Sequence, residues 1–249
     1  EDIDTVRCTP DRIKAMLEDL DWIGFCADPP YRRQSEHFAD YADALRRLEA
    51  MGLIYKAVLT RTEIRQIVAQ KEALGQRWPR DPDGAPIYPG DTALLSEADI
   101  AARLTRGEGY ALRLDMAAAL KAADLPLVWQ ETGAGPAGEC GQITADPSAW
   151  GDVILARKDT PTSYHLAVVV DDALQGISHV VRGQDLFHAT SVHRLLQHLL
   201  GLPAPTYHHH RLITGPDGRK LSKSAGDTGL SDLRDAGWTR AEIRARIGL

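Results

Sequence analysis

Between Asp152 and Ile213 the chain alternates apolar, β-branched runs with one amphipathic helix, and this alternation constrains the fold more than any other feature. The runs are Asp152-Val-Ile-Leu-Ala156, Tyr164-His-Leu-Ala-Val-Val-Val170 and Ile177-Ser-His-Val-Val181. The unbroken stretch Leu166 to Val170 suits a strand covered on both faces, as strands inside parallel sheets are. Thr190 to Leu200 has the spacing of a helix closed by Gly201, Tyr207 to Ile213 reads as extended, and Gly215-Pro-Asp-Gly218 reads as a tight turn. Strand, crossover helix and strand predict an α/β fold built on a parallel sheet.

Upstream, Thr9 and Pro10 open a helix whose Ile13, Met16, Leu17 and Leu20 share a face. A second helix is expected from Ser35, with Phe38, Tyr41, Ala42, Leu45 and Leu48 inward and Gly52 at its end. From 56 to 150 the texture changes: short helices near 62–73 and 96–104 alternate with Pro/Gly stretches, which predicts a smaller inserted α+β domain. The larger domain is then expected to comprise 1–55 and 151–249.

With 249 residues, 43% of them hydrophobic, the chain can bury a full core. Its formal net charge of −6 gives no global basic field, so any RNA contact must be local. Cys8, Cys26 and Cys140 form no CxxC pair, which argues against a disulfide framework and makes a reducing cytoplasm the expected setting. No apolar run reaches the length of a membrane span. The chain opens on Glu1-Asp-Ile-Asp4 without an initiator methionine, which predicts that residues lie upstream.

The densest chemistry follows the tight turn, in Arg219-Lys-Leu-Ser-Lys-Ser-Ala-Gly226. Two lysines flanked by hydroxyls suit the grip of a polyphosphate whose charge shifts during reaction. On composition alone such a loop is more often an ordinary solvated turn.

Lys220-Leu-Ser-Lys-Ser224 resembles the KMSKS signature of class I aminoacyl-tRNA synthetases, with Leu221 in place of the methionine. The block Tyr164-His-Leu-Ala-Val-Val-Val-Asp-Asp172, Gln175-Gly-Ile177 and Val181-Arg-Gly-Gln-Asp-Leu186 resembles the glutamyl-type synthetases, and so does the opening Glu1 to Asp4 followed by Arg7. The resemblance implies a Rossmann-type nucleotide-binding parallel sheet, ATP with Mg2+, L-glutamate as substrate and a tRNA as acceptor. The chain stops 25 residues after Ser224, and Thr239 with Glu242 caps a last helix closing at Gly248. That plan is similar to the branch that lacks an anticodon-binding region and glutamylates the queuosine base of tRNA(Asp); a monomer is expected. An ordinary glutamyl-tRNA synthetase charging tRNA(Glu) and a non-catalytic RNA-binding paralogue stay open.

Two departures from the family pattern stand out. The HIGH motif is expected upstream of Glu1. Where many relatives carry zinc-binding residues this chain has Ala57, Leu59, Tyr88 and Thr92, too few donors for tetrahedral zinc, so no zinc is expected.

The resemblance also implies site roles. Lys223, aided by Lys220, would neutralise the departing pyrophosphate. Arg182 would hold a substrate carboxylate in two parallel hydrogen bonds, a structural ion pair being the other reading. Tyr164 would contact glutamate, or be a sheet-edge core tyrosine; Glu1 would hold the substrate ammonium, or be a frayed terminus. Asp185 would face the ATP ribose, or cap a helix. Arg61, Arg65, Arg77 and Arg80, and Arg234, Arg240, Arg244 and Arg246, would meet RNA phosphates or line solvated helix faces. His208, His209 and His210 cannot converge on one ion, because adjacent strand residues point to opposite faces; a structural or RNA-contact role is expected.

Overall fold

The computed structural model describes residues 2–248 except 7, 27, 28, 216, 217, 219, 220 and 222–227. Glu1, Lys220 and Lys223 therefore lie outside the described residues, as does most of the lysine loop. The chain divides into one unit of Glu1–Glu36 with Arg211–Leu249 and another of His37–His210.

In the first unit, helix α1 (Pro10–Ile23) starts as its sequence predicts, with Thr9 extended ahead of Pro10, and ends on a left-handed Gly24. Its apolar stripe is not buried: Met16 and Leu17 are exposed. The buried Asp2 carboxylate accepts both the backbone N–H (2.9 Å) and the hydroxyl (2.6 Å) of Ser35.

The second unit opens with α2 (Phe38–Ala50). Ser35 lies instead in a single 3-10 turn before it. Tyr41, Ala44, Leu45 and Leu48 are buried, whereas Ala42 is exposed, because the inward stripe runs through 41, 45 and 48, and 42 stands about 100° away.

An antiparallel sheet follows, of β1 (Ile54–Ala57), β2 (Ala111–Leu114) and β5 (Ile154–Arg157), with β2 in the middle. Two helices between β1 and β2, α3 (Arg61–Ala73) and α4 (Glu97–Thr105), each begin on a capping box, Thr60 with Glu63 and Ser96 with Asp99. Arg103 bridges them by pairing with Glu63 at 2.7 Å. The expected short helices of this region are thus present.

The other sheet has the order β4 (Gly141–Thr144), β3 (Val128–Glu131), β7 (Thr206–His210), β6 (His179–Gly183). Strand β7 runs parallel to both β3 and β6, and β4 is antiparallel at the edge. Helices α5 (Met116–Ala123), α6 (Tyr164–Leu174) and α7 (Thr190–Leu199) accompany it. Trp129, Phe187 and Tyr207 form a buried cluster with Ile143, Ala145 and Val180 around it.

One expectation is corrected. Tyr164 to Val170 is not a strand but the start of α6: Ser163, in extended backbone, accepts the Leu166 N–H on its hydroxyl, and Leu166, Ala167, Val169 and Val170 are buried. A fully buried helix needs apolar residues on all sides, so its sequence looks like that of a buried strand. The two sheets draw their strands from both sides of positions 56 and 151. Strands β3 and β4, from within 56–150, join the parallel sheet, and β5, from beyond it, completes the antiparallel one. Four-residue strands carry too little pattern to reveal their partners.

Candidate active site

Arg182 on β6 is the centre of a polar cluster within the second unit. The strand register sets it opposite His209 on β7, and β7 pairs on its other side with β3, which carries Glu131. Helix α6 contributes Tyr164 and His165, and α7 contributes Thr190 and His193.

Every contact of the guanidinium is with a neutral partner. Its Nε donates to His209 Nε2 (3.0 Å), one terminal nitrogen faces His193 Nδ1 (3.2 Å), and the other donates to Thr190 Oγ1 (2.7 Å) and the Leu186 carbonyl (3.2 Å). The remaining donor meets the Tyr164 hydroxyl at 3.5 Å, the limit of hydrogen bonding. The guanidinium also lies 5.1 Å from the Tyr207 ring centroid. Among the described residues no carboxylate forms an ion pair with Arg182. The fork expected to be open to a substrate is largely committed to the protein; what remains is an uncompensated charge and one loosely held donor beside Tyr164.

Burial sets the protonation of the surrounding groups. It pushes His193 well below the usual imidazole range, helped by electrostatic coupling to His165, Arg182 and His209. His165 is brought down to about 4 by burial and by Arg182. For His209, burial and Arg182 outweigh the opposing pull of Glu131, and the net direction is down. Burial raises the Glu131 carboxyl, but the backbone and ring bonds from His209 and the Gly133 amide prevail and hold it low. The pair is a carboxylate and a neutral imidazole.

Gly133 allows this pair to form. A Cβ there would lie 2.3 Å from the His209 carbonyl oxygen, so only glycine lets the end of β3 close onto β7.

The predicted residues fare differently. Tyr164 and Arg182 do meet, with Tyr164 in the first turn of a helix rather than at a sheet edge. Asp185 is exposed in the turn Gln184–Leu186, which Gly183 rather than Asp185 precedes as cap; burial first, and then the Asp81 and Asp185 charges, raise the carboxyl of Asp83. His209 points inward while His210 is exposed, as strand alternation requires. Glu131, Thr190 and His193 were not foreseen. Period-two alternation beside the buried Trp129 marks Glu131 as inward, and His193 stands between Val192 and the buried Leu195 and Leu196 of α7.

A groove of about 550 Å³ opens on the antiparallel sheet, lined in part by Arg61, Tyr110, Arg113, Arg157 and Lys158. Burial and the neighbouring Arg61 charge both lower the pKa of Arg157. Of the other arginines expected to meet RNA, Arg80 pairs with Glu72 (2.8 Å) and Arg234 with Asp19 (3.2 Å), and Arg240 donates to the Trp22 carbonyl. Among the described residues no group of three or more His, Cys, Asp or Glu side chains could hold a metal ion, and no helix is long and apolar enough to cross a membrane.

The family model described as the catalytic domain of class I tRNA synthetases (E and Q) matches residues 1–249. A glutamyl-Q tRNA(Asp) synthetase of Rhodobacter capsulatus is 41% identical over 251 residues, covering the whole chain and 86% of the relative. One of Nocardia farcinica is 38% identical, over 99% of the chain and 71% of the relative. A glutamate–tRNA ligase of Ruegeria pomeroyi is 35% identical over the whole chain, which spans 52% of it. The crystal structure of a glutamate–tRNA synthetase from Elizabethkingia anophelis superposes with a TM-score of 0.67 at 27% identity, covering 96% of this chain and 46% of that one. With its parallel sheet, its guanidinium-centred cluster and a match along its full length, the chain belongs to the class I tRNA synthetase (E and Q) catalytic-domain family.

Proposed function

We propose that the chain activates L-glutamate with ATP and Mg2+ to glutamyl-adenylate and transfers the glutamyl group to the queuosine base of tRNA(Asp). The observation that carries this reading is the Arg182 guanidinium, without a carboxylate partner among the described residues and beside the Tyr164 hydroxyl, in a chain matched along nearly its whole length by relatives named glutamyl-Q tRNA(Asp) synthetases. A glutamate carboxylate answers that charge, and Tyr164 supplies a second donor.

In the first step an α-carboxylate oxygen attacks the α-phosphorus of ATP in line. The bond to the bridging oxygen breaks, and pyrophosphate leaves with the electron pair. No proton need move, so the work is positioning and charge stabilisation. In this reading Lys223, with Lys220 and Mg2+, neutralises the leaving pyrophosphate, Glu1 receives the substrate ammonium and Asp185 the ATP ribose. In the second step a queuosine hydroxyl attacks the acyl carbon, the bond from that carbon to the adenylate oxygen breaks, and AMP departs with the electron pair while the hydroxyl proton passes to the AMP phosphate or to water. Residues 56–150 form the part that meets RNA, with Arg61 and its groove the favoured contact because Arg80, Arg234 and Arg240 already have protein partners.

ATP–pyrophosphate exchange with the full-length protein tests the first step: exchange is expected with glutamate and lost in Lys223→Ala, and no exchange would end the enzymatic reading. Labelled glutamate offered with tRNA(Asp), with and without queuosine, tests the second. The Ruegeria pomeroyi relative supports a second acceptor, the 3′ end of tRNA(Glu), and label arriving there would replace the first choice.

A further inference from the structure

Arginine can only donate hydrogen bonds, so every ring nitrogen that faces Arg182 must present a lone pair. This fixes the protons of the cluster. With its Nε2 facing the Arg182 Nε–H at 3.0 Å, His209 must carry its proton on Nδ1, and Nδ1 lies 2.6 Å from a Glu131 carboxylate oxygen that can accept it. His193 likewise accepts on Nδ1, so its Nε2–H points at His165 Nδ1, 3.2 Å away. The Glu131 carboxylate is thereby kept one imidazole away from the guanidinium. A direct carboxylate partner would hold the arginine equally well but would neutralise the charge that a substrate has to find.

We propose that Glu131 and His209 are positioning residues for Arg182: the carboxylate selects the His209 tautomer that presents a lone pair to the guanidinium, so the arginine is fixed in place with its charge unspent. The inference rests on the reading that Arg182 meets a carboxylate of glutamate. The charged and titratable groups around the guanidinium come from every neighbouring element: Glu131 from β3, Tyr207 and His209 from β7, Tyr164 and His165 from α6, and His193 from α7. Of these only Glu131 is a carboxylate, and it is spent on His209: one oxygen accepts the His209 and Gly133 backbone N–H groups, at 2.9 and 2.8 Å, and the other accepts the ring.

Glu131→Gln tests this with a side chain of the same shape. Its amide oxygen can keep the two backbone bonds, which turns its NH2 toward His209 Nδ1. That nitrogen must then accept, the proton moves to Nε2, and a donor faces the Arg182 donor. Nitrogen-15 NMR of the full-length protein is expected to show the His209 proton on Nδ1 in the parent and on Nε2 in the variant. In pyrophosphate exchange the glutamate KM is expected to rise about tenfold or more, the loss that goes with a broken hydrogen bond to a charged group, with kcat within about threefold. A changed tautomer with an unchanged KM would overturn the proposal, and so would a raised KM with the parent tautomer. Should the variant not fold, His209→Gln and His209→Leu decide: the amide oxygen of Gln can stand in for the lone pair, so it is expected to recover most of the affinity lost in Leu, and equal loss in both overturns the proposal. Arg182→Gln separates the two levels, because an unchanged glutamate KM in that variant defeats the reading of Arg182 itself, whatever Glu131 does.

Discussion

The Glu131 carboxylate accepts both the backbone N–H and the ring Nδ1–H of His209, at 2.9 and 2.6 Å, with the two side chains fully buried. A buried charge held in this way is stable only while all its bonds are made, which ties the geometry of the parallel sheet to the state of the candidate site.

Arg182→Lys keeps the charge but loses the planar fork that reaches His209, His193 and Thr190 together. The glutamate KM in pyrophosphate exchange is expected to rise about 10- to 100-fold, the loss of one or two charge-assisted bonds. A KM equal to that of the parent would contradict the role given to the fork.

Stability is expected to fall with acid through the histidine cluster. His165 sits at about 4 in the folded chain against an unperturbed value near 6.5, and His193 is shifted in the same direction. The unfolded chain therefore takes up protons first. The stabilisation is fully present above about 6.5 and is lost as pH falls toward about 4, at about 1.4 kcal/mol per unit of depression. Urea midpoints at pH 7 and pH 5 check this, and His165→Asn is expected to flatten part of the slope.

Asp91 is one of the buried carboxylates of the second unit. Its buried carboxylate accepts the N–H groups of Val58 and Leu59, both at 3.0 Å, and the Tyr88 hydroxyl, joining the end of β1 to the loop before α4. Asp91→Ala is expected to cost about 2–4 kcal/mol in urea unfolding, since it strands buried donors. Prolonged dialysis against a chelator is expected to leave the parent's thermal midpoint unchanged, because Ala57 and Leu59 offer no side-chain donor to zinc.

Arg61 and Arg157 share one groove and repel each other. Replacing both by Ala is expected to weaken tRNA binding and to reduce its salt dependence, while pyrophosphate exchange changes by less than about twofold. A filter-binding titration at two salt concentrations reads the first effect, and loss of exchange alongside binding would place these arginines in the activation step instead.

Local signals in the sequence carried much of the fold. Thr9-Pro10, the Thr239 and Glu242 box and the Gly201 and Gly248 stops placed helix ends because they act within a single turn, and strand alternation told that His208, His209 and His210 face different ways, though not which of them is buried. The family was also legible, in Tyr164 to Leu186 and the lysine loop. Tertiary structure alone decided whether Leu166 to Val170 became helix or strand, since an unbroken apolar run shows neither the period of a helix nor that of a strand. It alone chose which short strands pair, and it alone joined Glu131, Arg182, His193 and His209, residues from three strands and a helix that no spacing relates. Capping and periodicity are local properties written into neighbouring residues, whereas the charge state of a guanidinium's surroundings is a property of what the folded chain buries beside it.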